Sequence, residues 1–187
     1  MKFALVIYLF FLPILAQAQN DFVPETRSLA TLDLGFSGVQ VGGELKTGKT
    51  QTILIRAGMM PLLYEDIDPF GYASSHTKLG WSPALSGEYR FYYNYQRRME
   101  KKKDIRNNGV NYAGYLLLYS FKPVGVKDYL TANTRILITG PVWGFNRALG
   151  EKILFNLTLG PVYEKEIDNN SDQITAYFDL RWSFIFN

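Results

Sequence analysis

The chain has 187 residues, no cysteine, one histidine and a formal charge of +3 at pH 7. Lack of cysteine excludes a disulfide framework, a thiolate metal site and a lipidated N-terminal cysteine, and a lone histidine would leave a metal to carboxylates. A balance this close to neutral, with basic residues mostly scattered, gives no footprint for a nucleic-acid partner, and nothing in the sequence calls for a cofactor.

In chain order, Lys2 is followed by an apolar run from Phe3 to Leu15 and by Ala16-Gln17-Ala18. Charge, short apolar core and A-x-A site predict a secretory signal peptide over 1–18, cleaved after Ala18. The run is shorter than the ~20 residues a spanning helix needs, and no later stretch approaches ~18 uncharged apolar residues. The expected mature chain is 19–187, a single domain.

From Leu29 to Lys46 the apolar phase slips. Leu32, Leu34 and Phe36 are apolar at even positions, Val39, Val41 and Leu45 at odd ones, with Gly35-Phe36-Ser37-Gly38 at the slip. That is either a tight hairpin or a bulge in one strand, since both use glycine. Gln51 to Leu63 alternate, with Ile53, Ile55, Ala57 and Met59 opposite Thr52, Arg56 and Gly58. Residues 64–82 read as a long loop. Leu85 to Gln96 put Leu85, Tyr89, Phe91, Tyr93 and Tyr95 on one face, and Ser86, Glu88, Arg90, Tyr92, Asn94 and Gln96 on the other. A basic hairpin tip follows over 97–109, ending at Asn107-Asn108-Gly109, a turn signal.

Tyr112 to Phe121 form an apolar and aromatic strand, and 122–132 a loop. Arg135 to Phe145 form a strand with Ile136 and Ile138 on one face; Ile153, Phe155, Leu157, Leu159 and Tyr163 mark the next. Pro141 and Pro161, which cannot donate to a ladder, are expected at bulges or strand ends. After an acidic loop over 165–172, Ile174, Ala176, Phe178, Leu180, Trp182, Phe184 and Phe186 alternate with Gln173, Thr175, Tyr177, Asp179, Arg181 and Ser183. This last strand is longer than the usual ~5–6 residues.

No helical period appears after residue 18. Short connections follow residues 46, 97 and 147 and long ones follow 63, 121 and 164, the sorting of periplasmic turns and outer loops. Seven strands are clear, but a barrel of this kind has an even number. The eighth comes from residues 26–34, with the hairpin at Gly35–Gly38. The predicted fold class is all-β: an eight-stranded antiparallel up-and-down transmembrane β-barrel.

The signal peptide, Glu88-Tyr89-Arg90-Phe91-Tyr92-Tyr93-Asn94-Tyr95, the basic hairpin, Asn107-Asn108-Gly109-Val110-Asn111-Tyr112 and Pro141-Val142-Trp143-Gly144 together resemble the outer membrane protein beta-barrel family of small bacterial outer-membrane domains. The resemblance covers nearly the whole mature chain. It implies an eight-stranded barrel, outer-membrane lipids as surroundings, and recognition by the barrel-assembly machinery through the terminal aromatics Phe184 and Phe186.

Ser74, Ser75 and His76 form the one Ser/His cluster, with Glu65, Asp66 and Asp68 in the same predicted loop. A nucleophilic serine needs a base in hydrogen-bond reach and an acid to orient it. Adjacent Ser75 and His76 point apart in an extended chain, so a polar loop with an incidental histidine is the expectation. The basic tip Arg97, Arg98, Lys101, Lys102, Lys103 and Arg106 reads as a solvated turn. No catalytic, cofactor-binding or metal residue is therefore expected. The predicted role is non-enzymatic, in envelope structure or in binding a surface ligand through the outer loops. The alternatives are a lipid A-modifying hydrolase using His76 and a small pore or transport accessory.

If each strand turns its apolar face outward, Glu44, Arg56, Glu88, Arg90, Arg135, Asp179 and Arg181 point inward, joined by Asp33 from the first hairpin. That predicts an interior network of four acids and four arginines, because charges leave water only when paired.

Overall fold

The computed structural model describes residues 25–67, 73–126 and 134–186, with backbone alone at 65–67 and 73–77. The predicted signal peptide lies outside the described residues. Eight strands follow in order: β1 (Leu29–Gly35), β2 (Gly38–Lys46), β3 (Gln51–Ile67), β4 (Ala73–Tyr92), β5 (Asn111–Ser120), β6 (Ile136–Ala148), β7 (Ile153–Glu166) and β8 (Ser171–Ile185). Each pairs antiparallel with its neighbour, and β8 closes on β1 through Thr31–Gly35 against Arg181–Ile185. The result is an up-and-down barrel. The phase slip is a hairpin, and Gly38 sits at φ 91°, a conformation glycine adopts without strain.

The barrel is strongly staggered. From Asp33 the register runs through Gln40, Gly58, Ala84, Ser120, Ile136 and Glu166 to Ser171, yet across the seam Asp33 faces Ser183, twelve residues further along β8. Stagger and strand number set tilt and width, and eight strands enclose a space that side chains can fill.

Several expectations change. Residues 64–67 and 73–82 are strand and not loop: β3 runs to Ile67 and β4 starts at Ala73, because the polar sequence there continues a two-stranded ribbon. Residues 93–110 are not a simple turn. β4 stops at Tyr92, and a helix α1 (Tyr95–Glu100) and a 3-10 turn (Arg106–Asn108) follow. Connection length therefore does not sort the two ends. The end holding both termini has the tight turns 47–50 and 149–152 and also this long connection, and the opposite end has 36–37 and 167–170 beside 121–135.

The prolines mark neither bulges nor strand ends. Pairs on both sides of them keep one register between β6 and β7, which sets Pro141 opposite Pro161. Pro141 still faces Tyr115 on β5, and Pro161 faces Ala176 on β8. The two missing N–H groups thus coincide at one rung instead of weakening two. Gly140 and Gly160 let the chains approach there: an added Cβ would lie 2.7 Å from the Pro161 carbonyl oxygen and 2.2 Å from that of Pro141.

The interior is layered. At the terminus end Tyr92, Tyr95, Val110 and Tyr112 form a buried cluster with Ile105 against it, and Leu29, Leu154 and Ile185 form another. Toward the other end Leu116, Leu118 and Val142 pack with Met60, Ile138 and Tyr177. Between them lie charges. The outward faces carry Val41, Ile55, Leu85, Leu117, Leu159 and Phe178, all exposed.

Candidate functional site

Six of the seven predicted interior residues meet inside the barrel, each buried: Glu44, Arg56, Glu88, Arg90, Asp179 and Arg181. The strand period places them, since Glu88 and Arg90 sit two apart on β4 and Asp179 and Arg181 two apart on β8, and alternate residues share a face. They form a chain of alternating sign. Arg90 reaches Glu44 at 3.9 Å and grips Glu88 with two bonds of 3.0 Å. Arg56 approaches Glu88 at 3.9 Å and Asp179 at 3.5 Å, and Arg181 pairs with Asp179.

Neutral groups finish the chain. Glu44 accepts from Thr52 Oγ1 at 2.7 Å and from the Tyr92 hydroxyl at 2.5 Å, and Tyr92 accepts from Asn146 Nδ2 at 3.1 Å. The Arg90 guanidinium lies 4.3 Å from the centre of the Tyr112 ring, whose hydroxyl bonds Thr158 at 2.7 Å. The Asp179 carboxylate accepts the Ser37 backbone N–H at 3.2 Å, so the first hairpin is tied to β8 across the seam.

Arg135 does not belong to this network. It precedes β6, its side chain is 43% exposed, and it bonds Asp168 in the β7–β8 turn at 2.8 Å. Its odd position shares the outward phase of Leu137 and Trp143; the error came from β6, where both faces are apolar and Ile136 and Ile138 face inward. Three arginines therefore meet four buried acids, because Asp33 is inside too, with Oδ1 lacking a hydrogen-bond partner. Sequence reasoning missed Thr52, Tyr112 and Asn146 as participants. Their only signal was an inward position in the alternation, shared with residues that merely pack.

The Ser74, Ser75 and His76 side chains, like those of Glu65, Asp66 and Asp68, lie outside the described residues. Among the described residues no three metal-ligating side chains converge.

A second candidate is the plate across the terminus end. Tyr95, 3% exposed, plugs the barrel from α1, and its hydroxyl donates to Asn108 Oδ1 at 3.0 Å. Asn108 also exchanges two bonds of 2.9 Å with the Arg27 backbone, fastening the segment before β1 over the plug and beside an open hollow of about 250 Å3. The predicted basic tip thus rests on packed aromatics. Arg106 is held by Asp104, whose carboxyl this bond keeps below the usual range.

Beside the plate an aromatic row crosses the outer wall. Trp143 donates to the Tyr93 hydroxyl at 2.7 Å, and ring centres then step 6.1 Å to Phe145, 6.1 Å to Phe155 and 5.7 Å to Trp182. Arg147 lies over Phe145 at 4.6 Å.

Compared with family models, curated proteins and solved structures, the chain gives no match.

Proposed function

We propose that this chain is an integral outer-membrane β-barrel, exported by a signal peptide over 1–18, with a non-enzymatic role in envelope structure or surface interaction. The observation that carries the reading is its inverted polarity. The outer wall is apolar on all eight strands, while a network of buried ion pairs lies inside. Apolar surface of that extent is costly in water but suits hydrocarbon, where a sheet must also close on itself to satisfy its backbone. Aromatic rows such as Tyr93–Trp143–Phe145 match the girdles found where such barrels meet the interface. The family resemblance supports the same reading.

The unequal hairpins suggest how the barrel sits. β2 pairs with β3 up to Met59 and β1 with β8 up to Arg181. Beyond Met59 on β3 and Leu180 on β8, whose carbonyl still accepts the Phe36 N–H at 3.0 Å, the two strands continue with no strand partner on that side among the described residues. Unpaired backbone does not sit in hydrocarbon. The bilayer would therefore end near the Gly35–Gly38 hairpin, beside the Phe36–Phe178 ring contact of 5.8 Å, and the long ribbons would project outward as the interacting parts. Phe184 and Phe186, both outward-facing, would serve the barrel-assembly machinery.

The test is fractionation and gel mobility. The protein should remain with membranes after alkaline extraction, and boiled and unboiled samples in detergent should migrate differently. Recovery in the soluble periplasmic fraction, or one mobility for both, would overturn the reading. Lipid A spectra unchanged by His76→Ala would remove the hydrolase alternative.

A further inference from the structure

We propose that Asp33, Thr31 and Gln40 hold one monovalent metal cation inside the barrel, over Gly42 on the β1–β2 hairpin. The inference rests on the interior charges and does not depend on the bilayer reading.

The described lining carries one negative charge in excess. Its buried acids are Asp33, Glu44, Glu88 and Asp179, and its buried cations are Arg56, Arg90 and Arg181. No lysine is buried among the described residues. Glu44, Glu88 and Asp179 engage all three arginines. Asp33 is only 2% exposed, forms no ion pair among the described residues, and its Oδ1 lacks a hydrogen-bond partner. A carboxylate held out of water is costly alone, and buried charges are paired or coordinate metals.

Other oxygens stand beside it. Strand pairing sets Asp33 opposite Gln40 and Thr31 opposite Gly42, so these four inward positions form one patch. Thr31 and Gln40 are buried like Asp33. Gln40 donates through Nε2 to the Ser37 carbonyl at 3.1 Å, which leaves Oε1 as its acceptor, and that buried oxygen also lacks a partner. Gly42 supplies the room. A Cβ there would lie 3.0 Å from Thr31 Oγ1, 3.5 Å from Asp33 Oδ2 and 3.0 Å from Arg56 Cγ. Arg56 thus borders the space with its apolar stem, while Nη1 and Nη2 approach Asp179 and Glu88.

Chemistry selects the ion. A carboxylate, a hydroxyl and an amide oxygen make a hard, all-oxygen set, which suits alkali and alkaline-earth ions and not soft metals. Charge then decides between those two. One carboxylate is unbalanced, so a monovalent ion neutralises the lining and a divalent ion leaves it positive. Bound there, the ion braces the hairpin at the seam, where Asp33 faces Ser183 of β8. The rival is a water bridging Asp33 to Arg56 Nε, which also lacks a partner. Water carries no charge, so the rival requires no dependence on the kind of cation in solution.

The test uses the mature chain folded in a non-ionic detergent. Its thermal unfolding midpoint is followed as sodium chloride replaces N-methyl-D-glucamine chloride at constant ionic strength, which holds screening fixed. Wild type should gain roughly 3–6 °C for each tenfold rise in sodium above the dissociation constant, because a ligand of the folded state adds stability by mass action. Asp33→Asn removes the excess charge and should give one midpoint in both salts. Gly42→Ala keeps the charge but puts a methyl in the space, and should also lose the sodium response. Asp168→Asn, at the exposed β7–β8 turn, should keep it. A flat wild-type midpoint, a response that survives Asp33→Asn or Gly42→Ala, or its loss in Asp168→Asn would each overturn the site. So would a larger response to calcium that Asp33→Asn abolishes, or a carboxylic-acid infrared band that the same change removes, since a proton would then stand in the place of the cation. A cooperative loss of β-sheet circular dichroism shows that a variant is folded, and either Asp33→Asn or Gly42→Ala decides if the other is not.

Discussion

The lining of the barrel is split. On β2, β3, β4 and β8 the inward positions carry Glu44, Arg56, Glu88, Arg90, Asp179 and Arg181; on β5 and β6 they carry Leu116, Leu118, Ile138 and Val142. The same backbone period produces both linings, yet they are held together differently. On the charged side each of these six ions has a specific partner of opposite charge, so removing one strands another. The apolar side is held by contact area and close packing, so removing a side chain leaves a void.

Arg90→Leu should have the largest effect. It strips Glu88 of two bonds and Glu44 of its nearest cation, and breaking a buried pair typically costs ~3–5 kcal/mol. The unfolding midpoint in detergent should fall clearly; an unchanged midpoint would mean that water replaces the arginine and the interior is wet. A double-mutant cycle sharpens the point. Glu88→Gln with Arg90→Leu should cost less than the two single losses combined, since the ion stranded by one change is removed by the other.

Leu116→Ala comes next on the apolar side. Leu116 is fully buried, and cavities of this kind cost ~2–5 kcal/mol. Here no cycle with a neighbouring charge should show coupling. If Leu116→Ala and Arg90→Leu couple strongly, the two linings are one unit and the contrast fails.

Lys102→Leu on the plate should leave stability nearly unchanged, because exposed charges of this kind are worth ~0–1 kcal/mol. A large loss would show that the plate braces the barrel through its charges rather than through Tyr95.

The smallest effect concerns pH. Asp168 is held down to about 2 by its hydrogen bonds from Arg135. A carboxylate depressed in the folded state stabilises above its unfolded value of ~3.9 and loses that contribution as pH falls toward 2. Asp168 is solvent-exposed, so the readout is its NMR titration. Its midpoint should lie near 2 in wild type and return toward the ordinary range in Arg135→Ala.

Alternation determined a good deal about this protein: the all-β class, seven of the eight strands and the inward face of β8, because side chains on a strand must point to opposite faces; the eighth strand followed from the even strand number of such barrels. It also placed Arg56, Glu88, Arg90, Asp179 and Arg181 inside, since a charge opposite an unbroken oily face has one place to go. The tertiary structure decided what period two cannot express. Where both faces are apolar, as on β6, the sequence has no sign to read, and the oily-out rule sent Arg135 to the wrong side. Strand length at 64–67 and 73–82 depended on a ribbon partner rather than on local hydrophobicity, and Pro141 is tolerated because Pro161 faces it from β7. The burial of Tyr95 required α1 to fold across the end of the barrel. Residues distant in sequence become neighbours only when the sheet closes, and pattern within one strand carries no information about that closure.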